Sequence, residues 1–85
     1  MFYVYVLKCK DGSLYTGYTD NLRIRLRLHN EGKASKYTRS RLPIELVAQW
    51  PFSNKSDAMR YEVAFKSLPR KSKMKRLQES VMRSN

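Results

Sequence analysis

Lys10-Asp11-Gly12 is the feature that most restricts what this chain can fold into. An Asp-Gly pair between two runs of β-forming residues is a strong hairpin signal, because glycine adopts the positive φ of a tight turn without steric cost. The run before it, Phe2 to Cys9, carries Tyr3-Val4-Tyr5. The run after it, Leu14 to Tyr18, carries Tyr15-Thr16-Gly17. Loop length then decides which faces the side chains share. A three-residue Lys-Asp-Gly loop with Gly12 left-handed pairs odd residues with odd residues and puts Tyr3, Tyr5, Tyr15 and Gly17 on one face. A two-residue Asp-Gly loop sends Tyr15 to the face opposite Tyr5. The residues alone permit both, and only the first brings the tyrosine motifs together.

Phe2 to Cys9 is apolar on both alternations, which predicts a central strand covered on both faces. Asn21 to Asn30 is ambiguous: Leu22 to Leu28 alternates strictly with arginine, as a strand would. Asp20 as a helix cap and Asn30 and Gly32 as stop signals favour a helix, on which Leu22 and Leu26 stack, with Arg25 and His29 beside them. The same helix leaves Ile24 and Leu28 as a second apolar pair on its flank. Gly32 to Pro43 reads as a polar, basic loop, and Ile44 to Trp50 as a third strand ended by Pro51. Asn54 caps a helix from Lys55 to Leu68, and Pro69 separates a last helix, about Arg70 to Met82, with Met74, Leu77 and Val81 as its core stripe. The expected architecture is α+β in ββαβαα order, one domain over residues 1–85.

Charge narrows the partner class. The chain of 85 residues holds 18 Lys+Arg against 7 Asp+Glu, a formal net charge of +11. Such an excess repels itself unless a polyanion offsets it, so nucleic acid leads and an acidic membrane surface follows. No stretch approaches the roughly 18 apolar residues of a membrane span, and the first residues lack the charged and apolar regions of a signal peptide. The single Cys9 and single His29 exclude an internal disulfide and a zinc site built on several cysteines or histidines. A reducing cytoplasmic setting is the expectation.

Carboxylates come next, because metal-assisted phosphodiester chemistry needs them. Asp11 sits in a turn, Asp20 at a cap and Asp57 in a helix's first turn, where negative charge is favourable. Glu62 stands apart, mid-helix at the border of the stripe Ala58, Tyr61, Phe65 and Leu68. One such group suffices for Mg²⁺, which is often held by one or two carboxylates, waters and substrate phosphate oxygens. The plain alternative for Glu62 is an i,i+4 pair with Lys66, and for the tyrosines it is cross-strand packing. A phenol titrates near pH 10, so its use as a base requires positive charge nearby, from Arg25, His29 or lysines.

Taken in order, Tyr3-Val4-Tyr5, Tyr15-Thr16-Gly17, Arg25 and His29, the Lys36-Tyr37-Thr38-Arg39 segment and Glu62 resemble the GIY-YIG nuclease family, in particular its small single-domain bacterial members. The resemblance implies a three-stranded antiparallel sheet flanked by helices, and with it the odd-with-odd hairpin and the helix at Asn21 to Asn30. It further implies metal-dependent hydrolysis of a nucleic-acid phosphodiester, with one Mg²⁺ or Mn²⁺; DNA is the leading substrate, and the residues alone leave RNA open. By that resemblance Tyr5 is the general base and Tyr15 orients water, phosphate and Tyr5. Gly17 permits close backbone approach, Arg25 balances charge on the phosphate, His29 supports the water or phosphate network, and Glu62 ligates the metal. Lys33, Lys36, Tyr37, Arg39, Arg41, Lys71 and Lys73 are expected along the nucleic acid.

The chain departs from the family pattern at Tyr3, which stands where the name-giving first glycine would be and is read as structural. Ile24 and Leu28 occupy helix positions expected to be polar, and a protein partner or weak dimer is one reading of them. Two further function classes therefore stand beside the nuclease: a non-catalytic basic nucleic-acid-binding module, and an interaction subunit of a DNA repair or processing complex.

Overall fold

Strands β1 (Phe2–Lys8) and β2 (Leu14–Thr19) form the hairpin. Gly12 has φ of 84°. The Cys9 amide donates to the Ser13 carbonyl at 2.9 Å, and the Gly12 amide to the Cys9 carbonyl at 2.9 Å. The loop is thus the three-residue form. Tyr5 lies opposite Gly17 and Leu7 opposite Tyr15, so the register is odd with odd and both tyrosine motifs share a face.

β3 (Glu45–Phe52) pairs with the other side of β1, giving an antiparallel sheet in the order β2-β1-β3 with the doubly apolar strand at its centre. The strand does not stop at Pro51, which lies opposite Tyr3 and is followed by Phe52 opposite Phe2. β3 is an edge strand, where a residue without an amide proton is tolerated. Tyr61 packs against Trp50 before the expected stop and Phe52 beyond it, and holds the strand down across Pro51.

The structure is a computed structural model describing residues 1–83, with side-chain environments through residue 79. Helix α1 (Leu22–Asn30) forms despite the strand-like alternation of its sequence. Its cap is Asn21, not Asp20: the Asn21 side-chain oxygen accepts the Ile24 amide at 3.1 Å. At the other end Gly32, at φ 74°, donates to the His29 carbonyl at 3.0 Å, and Lys33 donates to Leu28 at 2.9 Å. These two bonds satisfy carbonyls that the helix end leaves free. Ile24 is 44% exposed and Leu28 half-buried, so neither is consumed by the core.

The segment expected as a loop contains a short helix, α2 (Lys36–Arg39), capped by Ser35, whose hydroxyl accepts from the Tyr37 and Thr38 amides at 3.1 and 3.4 Å. Four residues are too few for a periodic apolar signal, which is why the sequence reads as loop. Helix α3 (Lys55–Lys66) starts at Asn54, which accepts the Asp57 amide at 2.9 Å, and α4 (Arg70–Arg83) follows Pro69. The order is therefore ββααβαα, one helix more than expected. Val6, Ala48, Phe65 and Leu77 form the core under α3 and α4. Met74 is not part of it: it is 46% exposed, and Leu77 alone of the expected stripe is seen to reach the sheet. Val81 lies outside the described side chains.

Candidate active site

Gly17 explains how the hairpin becomes a cleft. A β-carbon built on it would lie 2.6 Å from the Tyr5 hydroxyl and 2.8 Å from the ring carbon bearing it. The missing side chain lets the Tyr5 ring lean over β2. Tyr5, Tyr15, Gly17, Arg25 and Glu62 then line one cavity of about 440 Å³. Arg25 comes from the middle of α1 and Glu62 from α3, whose packing against β2 carries the carboxylate round to the strand's edge. Five residues from four elements meet here.

His29 does not line this cavity. It is fully buried behind Tyr5, with its Nε2 2.9 Å from the Tyr5 hydroxyl and its Nδ1 2.8 Å from the Thr38 hydroxyl. The structure thus places His29 behind Tyr5, off the cavity wall. Thr38, also fully buried, donates to the Ser35 carbonyl at 3.4 Å. A neutral His29 protonated on Nδ1 donates to Thr38 and leaves Nε2 to accept from the Tyr5 phenol. Burial and the nearby Arg25 cation hold the His29 imidazolium below its usual range, so the neutral ring is favoured. Burial above all, then Tyr15 and Glu62, pushes the Tyr5 phenol up, with Arg25 opposing. Tyr5 is therefore a donor at neutral pH.

A folded-state His29 pKa below the unfolded value of about 6.5 means that the unfolded chain takes up this proton first. Stability contributed by the neutral ring is present above that value and lost as pH falls through it toward the lower folded-state pKa. Thermal melts between pH 7.5 and 5 are expected to show a falling midpoint in the wild type and a flatter profile in His29→Gln. Equal slopes would remove His29 as the titrating group.

Tyr37 continues the aromatic chain outward. Tyr15 sits edge-on to His29 with centroids 5.2 Å apart and stacks on Tyr37 at 6.1 Å, and the Arg41 guanidinium covers Tyr37 at 3.8 Å. Arg41 is held there by Asp11 at 3.0 Å and by the Tyr37 carbonyl at 2.9 Å. Lys36 and Arg39 lie on α2, and Lys33 pairs with Glu31 at 3.5 Å. Lys71 and Lys73 are on α4, and Lys71 lines a different cavity with Leu14, Val47 and Leu77. The expected basic residues thus fall into two groups, and Lys71 shares no wall with the cleft. Tyr3 carries the same face parity as Tyr5 but is not among the lining residues.

Sequence reading missed several lining residues. Asp20, weighed only as a cap, is on the wall, as are Phe2, Tyr18, Thr19 and Lys55. Thr38 was visible only inside a basic segment, with nothing to mark it as the partner of His29. Glu62 does pair with Lys66, at 3.4 Å, yet its side chain is only 15% exposed while that of Lys66 is 53% exposed. A surface pair alone does not require a half-sunk carboxylate, and the cleft accounts for it. Among the described residues no cluster of three metal-ligating side chains exists, so a divalent ion here fits only with waters and substrate oxygens completing its shell around Glu62. No helix among them is long and apolar enough to cross a membrane.

A family model described as the GIY-YIG catalytic domain matches residues 1–76. Over 77 residues the chain is 53% identical to a UPF0213 protein of Staphylococcus haemolyticus, covering 91% of this chain and 94% of that one. It is similar to the solution NMR structure of a UPF0213 protein from Bacillus halodurans, with a TM-score of 0.61 and 49% identity over 92% of this chain and 84% of the other. A solved protein from E. faecalis gives a TM-score of 0.62 and 43% identity, covering 91% and 82% of the two chains.

Proposed function

The chain belongs to the GIY-YIG family, and on that premise we propose that it is a divalent-metal-dependent endonuclease acting on DNA in the cytoplasm as one domain. The observation that carries the proposal is the convergence of Tyr5, Tyr15, Arg25 and Glu62 on one cleft. A site with one deep carboxylate, one arginine and two phenols suits a negatively charged phosphodiester better than any neutral substrate. Glu62 would hold the metal, which when bound supplies Lewis-acid polarisation of a phosphate oxygen.

Tyr5 acts as a base without first becoming a stable phenolate. Its oxygen takes a proton from the attacking water while its own proton passes to His29 Nε2, 2.9 Å away. The water oxygen forms the new bond to phosphorus as the bond to the leaving oxygen breaks. Arg25 offsets the charge gathering on the phosphate. Tyr15, packed between His29 and Tyr37, orients the water and keeps the Tyr5–His29 pair in place. His29 thus serves behind the base, not beside the phosphate.

Labelled flap and duplex DNA incubated with and without Mg²⁺ tests the reading. Tyr5→Phe is expected to lower cleavage by roughly 10²–10⁴-fold, the usual weight of a positioned base. DNA binding should persist and weaken as salt rises, because phosphate contacts release counterions. Metal-independent cleavage, or full activity in Tyr5→Phe, would sink the mechanism.

A further inference from the structure

One wall of the cleft is unused by the proposed chemistry. It consists of Phe2, Tyr18, Asp20 and Lys55, all of which line the cavity. Val4 lies opposite Tyr18, so Phe2 and Tyr18 are diagonal neighbours on the sheet face that Tyr5 and Tyr15 do not occupy. Ring-on-ring contacts hold the tyrosines of the cleft and the Trp50–Tyr61–Phe65 core. Among the described residues neither Phe2 nor Tyr18 has such a partner, although both rings are half-buried. Lys55, exposed at the first turn of α3, places a cation beside them.

Resting on the nuclease reading, we propose that Phe2 and Tyr18 form a stacking subsite for one unpaired nucleobase next to the scissile phosphate, with Lys55 holding that nucleotide's own phosphate. The substrate class is then DNA with an unpaired strand at a junction, a flap or an overhang. Every base offers a π-face to an aromatic side chain, but a base inside a duplex is covered on both sides and cannot present it. The cavity, about 440 Å³, is of the size that takes one small organic ligand. Asp20 on the same rim repels phosphate and accepts from an exocyclic amine, so the base faces Asp20 and the phosphate faces Lys55.

The test places 2-aminopurine at the unpaired position of a flap and measures binding in EDTA beside a fully paired duplex of the same sequence. Wild type and Tyr18→Phe are expected to quench the probe and to favour the flap. Tyr18→Ala should lose the quenching and bind the flap about tenfold more weakly, as loss of one stacked base does, with duplex affinity within about twofold. Tyr18→Leu keeps apolar volume under the fold and should lose quenching in the same way. Phe2→Leu is the matching variant on β1, with thermal melts confirming that each protein is folded. Equal binding of flap and duplex by the wild type, or equal weakening of both by Tyr18→Ala, overturns the subsite. A protein that prefers the flap in this way but never cleaves with Mg²⁺ keeps the subsite and loses the nuclease reading; one that cleaves but treats both DNAs alike loses the subsite alone.

Discussion

Glu62→Ala is expected to leave the protein as stable as the wild type while removing Mg²⁺-dependent cleavage by roughly a thousandfold, the scale of a lost metal contribution of several kcal/mol. The stability half follows from the pair it breaks. The Glu62 carboxylate is sunk, but its partner Lys66 is largely exposed and solvent-screened, so the i,i+4 pair contributes about 0.3–0.5 kcal/mol, which alanine's helix preference largely offsets. The activity half follows from position: Glu62 is the carboxylate that α3 delivers to the wall shared by Tyr5, Tyr15 and Arg25. Melting curves and cleavage assays on one preparation separate the two. A large drop in melting temperature would show that Glu62 supports the fold; unchanged cleavage would leave the metal proposal without its ligand.

Gly17→Ala should do the reverse and damage both. Its new methyl group would overlap the Tyr5 hydroxyl at 2.6 Å and the adjoining ring carbon at 2.8 Å. Tyr5 is only 2% exposed and backed by His29, so the ring cannot yield without moving its hydrogen-bond partner. Overpacking of this kind costs about 1–3 kcal/mol, and each kcal/mol lowers the melting point of a domain this small by about 4–8 °C. Because the clash and the proposed base are the same side chain, cleavage should fall with stability. Tyr5→Phe removes the closest atom of the overlap, so the double variant should be less destabilised than the sum of the singles. Additive losses would mean that Gly17 acts through something other than Tyr5.

Much of this was legible because it is local. The Asp-Gly turn marked the hairpin and left two registers open; Gly12 at φ 84° and the three-residue loop settle the one in which Tyr5 and Tyr15 share a face. Apolar residues on both alternations of β1 mark a central strand. What escaped depends on tertiary placement. Asp20 and Asn21 are both good capping residues, and the direction of the chain leaving β2 chose Asn21. Pro51 normally ends a strand, but an edge position with aromatic packing around it let β3 run on. The Thr38–His29 bond joins segments whose approach depends on a helix of four residues with no periodic signature. The family resemblance placed His29 near the site, and only the packing shows that it stands behind Tyr5.

The order of those segments along the chain has a consequence for biosynthesis. As the polypeptide leaves the ribosome, the hairpin emerges first, bringing both phenols, and the histidine and its threonine partner follow on α1 and α2. Glu62 arrives later, on α3, which follows β3 in the chain. A nascent chain can therefore assemble the proton-handling half of the proposed centre while it still lacks Glu62, the carboxylate proposed to hold the metal. On this reading the protein is chemically silent toward the nucleic acids that surround a translating ribosome until its fold is nearly complete.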